Sequence, residues 1–420
     1  MVQNVRNVMK GTVRLMMASV LAFSATQCLG QISGPWTGQL DLGVQKLTIV
    51  LHFDKDASGK DVCTMDSPDQ SVKGIPATLN FISADSVNLA VPNIGMTYTG
   101  KLSEGELKGN FNQNGITLPL SLKPGEEKHN RPQHPVEPYP YRTEEVSFTN
   151  ANANATFSGT LVYPEGYKEG GKVPVVLFVT GSGAENRDEE VFDHKPFLVI
   201  ADYLARHGIA SLRFDDRGVG KSTGSMQGAT TKDFAEDALA GIEMLRGLKR
   251  FSKVGVLGHS EGGSVAFMLG AKQQVDFIIS MAGVGAKGDT ALTVQANRTY
   301  ELMGLPVRVN VAQYRAQVTQ LNSPWINYFL DYDPIPDIQG TRCPVLAING
   351  EKDVQVVSSL NLKGIEVALP KNKKNLVKEY PELNHLFQHC TTGLPTEYVG
   401  IEETISEEVL LDIATWDNGL

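Results

Sequence analysis

A chain of 420 residues is longer than one ordinary domain and points to two. Hydrophobic residues make up 41% and charged residues 20%, the composition of a globular protein with a full core available. The net charge of −9 speaks against nucleic acid or an anionic membrane surface as partner, since both call for basic patches.

The N-terminus differs from the rest. Arg6, Lys10 and Arg14 precede an apolar run from Leu15 to Ala25, and Cys28-Leu29-Gly30 then leads to Gln31. A basic start, a short apolar run and small residues ahead of a cleavage point read as a signal peptide over residues 1–30. The run is too short to span a bilayer. Cys28 opens the alternative of a lipoprotein anchor, but Gln27 stands where a small residue is wanted. The expectation is an exported protein, periplasmic or extracellular. Loss of Cys28 would leave Cys63, Cys343 and Cys390, an odd set with no Cys-x-x-Cys pair, so neither an essential disulfide nor a structural metal is expected.

Residues 31–122 alternate in short runs broken by turn residues. Trp36–Leu42, Lys46–Phe53, Ala77–Phe81, Ser86–Val91, Met96–Leu102, Leu107–Phe111 and Ile116–Leu122 are predicted as strands of a small all-β domain, barrel or sandwich, with Trp36 as a core plug. Residues 123–142 form a proline-rich linker, an extended spacer in which His129 and His134 read as solvated.

From residue 143 to residue 420 strands and helices alternate. A leading antiparallel pair, Glu145–Phe148 and Thr156–Tyr163, is followed by buried strands at Val173–Thr180, Ile209–Phe214, Phe251–Gly258, Val275–Ala282, Val345–Asn349 and Asn375–Tyr380. Helices are expected at Pro196–His207 and Thr231–Leu248. Apolar strands alternating with helices argue for a mostly parallel sheet covered on both faces, an α/β fold. Residues 284–338 break the rhythm with helical stretches near Thr290–Met303 and Val311–Leu321, and read as a cap over a pocket.

The chemistry centres on Gly258-His259-Ser260-Glu261-Gly262, where an apolar strand passes directly into a helix. The G-x-S-x-G pattern holds its serine on a strained turn, and only small residues two positions away leave room for it. Ser260 is therefore the candidate nucleophile. A base must follow, and only His385 and His389 lie downstream. His385 sits in a loop just past the last strand and is the candidate base, whereas His389 is expected at the start of a helix. Their spacing resembles half a zinc site, but Leu386 stands in the place of the glutamate in H-E-x-x-H. Asp353, delivered past Gly350 from the strand Val345–Asn349, is the candidate acid, with Glu351 as its competitor. Oxyanion donors are expected from the backbone N–H of Glu261 and of Ser182, the latter in Gly181-Ser182-Gly183. Gly218-Val-Gly-Lys-Ser222 imitates the end of a P-loop, but Asp215 occupies the first glycine position, so a strand-end turn with buried Asp and Arg pairs is expected instead.

Together, the elbow, the Asp-Asp-Arg-Gly turn, Gly350-Glu-Lys-Asp353 and Leu383-Asn-His-Leu-Phe387 resemble the α/β-hydrolase superfamily. In detail the chain resembles exported bacterial esterases related to the serine aminopeptidase and prolyl-oligopeptidase-like groups, which carry a β-rich N-terminal domain. The resemblance implies nucleophile, acid and base roles for Ser260, Asp353 and His385. Thr180-Gly181-Ser182-Gly183 departs from the His-Gly-Gly-Gly of lipases. The function expected is cleavage of small-molecule or glycan-linked carboxylic esters with short acyl groups, with no cofactor and no metal. The alternatives are an exported serine peptidase and a glycan-binding protein with a weakly active hydrolase domain. No pair of cap carboxylates is spaced to hold an amine, while Leu292, Val294, Met303, Trp325, Tyr328 and Phe329 could form an apolar wall.

Overall fold

The computed structural model describes residues 32–43, 46–70, 72–126 and 128–420, so the leader reading of residues 1–30 lies outside the described residues. Among the described residues no helix is long and apolar enough to cross a membrane.

The N-terminal unit is a closed barrel of eight strands in sequential order. The strands are β1 (Gly34–Asp41), β2 (Lys46–Lys55), β3 (Asp61–Ser67), β4 (Val72–Ile82), β5 (Ser86–Val91), β6 (Met96–Ser103), β7 (Glu106–Gln113) and β8 (Ile116–Pro124). Strand β3 is one more than the sequence reading found. Its polar Asp61, Thr64 and Asp66 mask an inward Cys63 and Met65. Closure fits the turns: Glu104-Gly105 and Asn114-Gly115 all have positive φ, the two-residue hairpin geometry that matches strand twist. Val87, Leu89, Met96, Tyr98, Leu107 and Leu122 fill the interior by alternation along their strands. Trp36 is buried, as a core plug should be.

The second unit holds an eight-stranded sheet. Its strands are β9 (Thr143–Asn150), β10 (Ala155–Val162), β11 (Val173–Val179), β12 (Ala210–Phe214), β13 (Phe251–His259), β14 (Ile278–Met281), β15 (Val345–Gly350) and β16 (Leu376–Tyr380), in the order β16-β15-β14-β13-β11-β12-β10-β9. All neighbours from β12 to β16 run parallel, and β10 is antiparallel to both β9 and β12.

Alternation along β11 explains the double cover. Val175, Leu177 and Val179 point into one core with α2 (Thr231–Gly247), α3 (Glu261–Ala271) and α8 (Ser358–Ala368). Val176 and Phe178 point into the other, with α1 (Pro196–Arg206) and α9 (Glu407–Asn418). Between β14 and β15 lie α4 (Gly288–Leu302), α5 (Val311–Val318), α6 (Pro324–Asp331) and α7 (Ile335–Gly340). The stretch around Pro334 and Pro336 is thus helical, since both prolines sit at a helix start where no N–H is needed.

The proline-rich segment is not a solvated spacer along its length. Arg131 donates to the carbonyls of Val399 (2.7 Å), Ile401 (2.7 Å), Phe192 (3.2 Å) and Asp193 (3.3 Å), and Gln133 to that of Ile405. His134 is half-buried and accepts from the Lys195 N–H at 3.2 Å.

Candidate active site

The carboxyl ends of β11, β13, β15 and β16 deliver the chemistry-bearing residues to one side of the sheet, where open α/β sheets bind ligands. Ser260 follows β13 directly and has φ 54° and ψ −116°, a left-handed conformation that costs free energy in a non-glycine residue. Its N–H donates to the Met281 carbonyl at 2.9 Å, which fixes the turn against β14. A Cβ at Gly258 would stand 2.0 Å from the Gly262 carbonyl oxygen, and one at Gly262 would stand 2.2 Å from that of Val179. The two glycines are needed for the crowding anticipated from the sequence.

Asp353 and His385 meet in the loops that follow β15 and β16. His385 Nδ1 donates to Asp353 Oδ2 at 2.7 Å, and the other carboxylate oxygen accepts from the N–H of Gln355 and of Val356, both at 2.8 Å. Asp353 is 2% exposed, and its hydrogen-bonding capacity is directed. The loop carrying His385 is shaped by Asn384, whose Oδ1 accepts from Leu386 N–H and Gln388 N–H, both at 3.0 Å. Glu351 is exposed and accepts from the Glu382 N–H instead. His389 is not on a helix: it forms an isolated bridge with Leu383 and pairs with Glu403 at 2.8 Å, in the open. A helix start was misread there because the chain turns back at Phe387, which has φ 60°.

Ser260 and His385 line one cavity of about 250 Å³ with Gly181, Ser182, Glu185, Val191, Leu292 and Trp325 among its walls. Phe329 also lines it, but Val294, Met303 and Tyr328 from the expected apolar wall do not; Tyr328 packs against the sheet core. Asp289 is spent on Lys287 (3.3 Å) and Arg315 (2.9 Å). Ser182 and Glu261 are tied through their side chains. Glu261 accepts from Ser182 Oγ (2.7 Å), Thr231 Oγ1 (2.5 Å) and Trp325 Nε1 (2.9 and 3.0 Å). Burial raises the Glu261 carboxyl above its usual range, and these donors oppose the rise.

Sequence reasoning missed the loop between β11 and α1. Arg187-Asp188-Glu189-Glu190 has the appearance of a solvated charge run, yet its members have separate partners. Arg187 pairs with Asp215 (2.8 Å), Asp188 with Arg213, Glu189 with His259 (2.9 Å) and Glu190 with Lys195 (3.6 Å). Asp215 and Arg217 of the strand-end turn are paired as expected, Arg217 with Asp237 at 2.6 Å. Carboxylates therefore do reach the cavity, from this loop and not from the cap: Glu185 and Glu189 both line it. Burial, with Glu189 and Asp216 nearby, pushes the Glu185 carboxyl up to about 8.

A parallel sheet covered on both faces, with a serine elbow after β13 and a His–Asp pair after β16 and β15, defines an α/β-hydrolase fold; here a β barrel precedes it. Comparison with known proteins agrees. Residues 195–315 match the family model described as serine aminopeptidase, S33. Esterase EstD of Thermotoga maritima is 27% identical over 274 residues, 61% of this chain and 64% of that protein. The match thus spans less than two thirds of EstD. The mitochondrial palmitoyl-protein thioesterase ABHD10 of Bos taurus is 25% identical over 234 residues, 51% of this chain and 71% of that one. Among solved structures, Est1E from Butyrivibrio proteoclasticus with ferulic acid aligns at a TM-score of 0.44 and 18% identity, over 64% of this chain and 99% of its own. The Pyrococcus furiosus esterase Pf2001 aligns at 0.45 and 17%, over 70% and 99%.

Proposed function

We propose that the protein is a serine hydrolase that cleaves carboxylic esters with short acyl groups. The observation that carries this reading is the 2.7 Å His385–Asp353 pair together with a strained Ser260, His385 and Ser260 lining one small cavity. In this reading Ser260 Oγ attacks the ester carbonyl as His385 Nε2 takes its proton, and Asp353 holds the tautomer and stabilises the imidazolium. The N–H groups of Ser182 and Glu261 receive the oxyanion; that of Gly181 is already donated to Glu189 at 3.0 Å. Collapse expels the alcohol, protonated by His385, and leaves an acyl-Ser260. Water, deprotonated by His385, then releases the acid and restores the serine. The relatives named esterase and thioesterase support ester cleavage, and a cavity of about 250 Å³ supports a short acyl group.

A second reading, an aminopeptidase, is favoured by Glu185 in the cavity, where a carboxylate could hold an ammonium. Two features weigh against it: burial and the neighbouring acids push the Glu185 carboxyl up to about 8, against its charged form, and Glu189 is committed to His259 and Gly181. A panel of p-nitrophenyl esters of rising chain length, run beside aminoacyl-p-nitroanilides, decides. The ester reading expects the acetyl and butyryl esters to lead; an anilide matching p-nitrophenyl acetate in kcat/KM would promote the peptidase. Export is part of the proposal, and N-terminal sequencing of the mature protein, expected to begin near Gln31, tests it.

A further inference from the structure

One buried pair near the proposed triad has no role in the chemistry above. His259 lies inside the serine motif, and neither of its ring nitrogens reaches the cavity's reacting groups. Nδ1 is 2.9 Å from Glu189 Oε1, and Nε2 is 3.0 Å from the backbone carbonyl oxygen of His385. A carbonyl can only accept. Glu189 Oε1 also accepts the Gly181 N–H at 3.0 Å. Nε2 therefore carries a proton, and facing Glu189 as a carboxylate Nδ1 carries one as well, which makes the ring an imidazolium. The Glu189 charge, its hydrogen bond and the His385 carbonyl act in the same direction, raising His259 to about 9 against the effect of burial.

The contacts join three loops: Glu189 and Gly181 from the loop after β11, His259 from the elbow, and His385 from the loop after β16. Glu189 is itself held in a left-handed conformation, φ 51°, and its Oε2 is buried without a partner. Both features oppose folding, and each occurs at the residue that ties the loops together. We propose that Glu189 and His259 form a positioning pair, a buried carboxylate–imidazolium that holds the oxyanion loop, the nucleophile turn and the base loop in one register. The proposal rests on the triad reading above. Both line the cavity, but in that reading neither bonds to the reacting atoms; they act through Gly181 and His385.

The other charged or titratable groups near His259 are Glu185 on the β11–α1 loop and the His385–Asp353 pair, with ring centroids of the two histidines 4.6 Å apart. Its remaining surroundings are apolar, among them Phe197, Met281, Leu386 and Phe387. Folded His259 is raised above its ordinary value, so the tie is complete at low and neutral pH and is lost as pH rises through about 9, when one of its two donors disappears.

The test is kcat and KM for p-nitrophenyl acetate against pH, corrected for uncatalysed hydrolysis, in wild type, Ser260→Ala, Glu189→Gln and His259→Gln. Misplacement of a reacting group by about 1 Å costs on the order of 100-fold in rate, so both positioning variants should lose up to that much kcat with KM little changed. The wild-type rate should fall as pH rises through about 9. In Glu189→Gln the fall should move to lower pH, because the counter-charge is gone, and in His259→Gln it should vanish. A merely structural residue would move neither limb. If Ser260→Ala is inactive while both variants keep the wild-type kcat and alkaline limb, the positioning pair is refuted and the triad stands. Activity in Ser260→Ala refutes the triad itself. Should the variants fail to fold, nitrogen NMR of histidine-labelled wild type replaces them. One imidazole must keep both nitrogens protonated above pH 8, the ionised form that burial alone disfavours. A full set of neutral rings there overturns the proposal.

Discussion

Asp353 Oδ2 and His385 Nδ1 stand 2.7 Å apart, while the opposite oxygen of the same carboxylate is held by two backbone N–H groups. The carboxylate cannot turn away from the ring without losing both, so the imidazole is held through its Nδ1. Asp353→Asn should keep the fold but present the wrong tautomer, with kcat lower by about 10⁴-fold; His385→Ala should cost more, on the order of 10⁶. Glu351→Gln should leave the rate near wild type. Steady-state kinetics on p-nitrophenyl acetate checks the order, and a crippled Glu351→Gln beside an active Asp353→Asn would reassign the acid.

Glu261 receives three donors on two oxygens, from Ser182, Thr231 and Trp325. Glutamine in its place would turn an N–H toward donors and leave a buried group unsatisfied, a cost of about 1–3 kcal/mol. Glu261→Gln should therefore lower the thermal midpoint. Trp325→Phe keeps the ring but frees it from the elbow, so KM should rise more than kcat falls. An unchanged KM would mean that the Trp325 tie does not shape the cavity.

The elbow and the two downstream residues were legible because each follows a local rule. G-x-S-x-G sits between a strand and a helix, His385 follows the last strand, and Asp353 follows a glycine turn. Glu189 and His259 follow no such rule. Glu189 looks like one acid in a solvated run, and its partner is 70 residues away in sequence. Strand β3 was hidden for a different reason: alternating polar residues diluted the signal of Cys63 and Met65. Helix α6 was overlooked because Trp325, Tyr328 and Phe329 read as pocket wall, whereas Tyr328 faces the core.

Gly262 packs against the Val179 carbonyl with no room for a methyl group. Gly262→Ala should cost about 1–3 kcal/mol by overpacking and displace the turn that carries Ser260. Thermal melts and kcat should fall together. A stable, fully active Gly262→Ala protein would show that the elbow relaxes more easily than its geometry indicates.

Glu185 is neutral below about pH 8 and ionised above it, since burial and the neighbouring acids raise its carboxyl. Competitive inhibition by n-butylammonium should accordingly strengthen as pH rises through about 8, and Glu185→Gln should abolish that dependence. Equal inhibition constants across the range in wild type would place the ammonium away from Glu185.

Arg131 donates to five carbonyls, two of them on Phe192 and Asp193 beside the cavity wall. Arg131→Ala should leave those carbonyls without their cation and expose residues 128–142 to proteolysis that the wild type resists. Identical digestion patterns for the two proteins would show that the segment is held by other contacts.

The central claim is that Ser260 is the nucleophile, and covalent trapping reads it directly. Incubation with a p-nitrophenyl alkylphosphonate, followed by intact-mass and peptide analysis, should give one adduct per chain on the peptide carrying Ser260, with loss of esterase activity in proportion. His385→Ala should label far more slowly, and Ser260→Ala not at all. Labelling of Ser260→Ala to the same extent, or full esterase activity in a protein stoichiometrically modified at Ser260, would contradict the account.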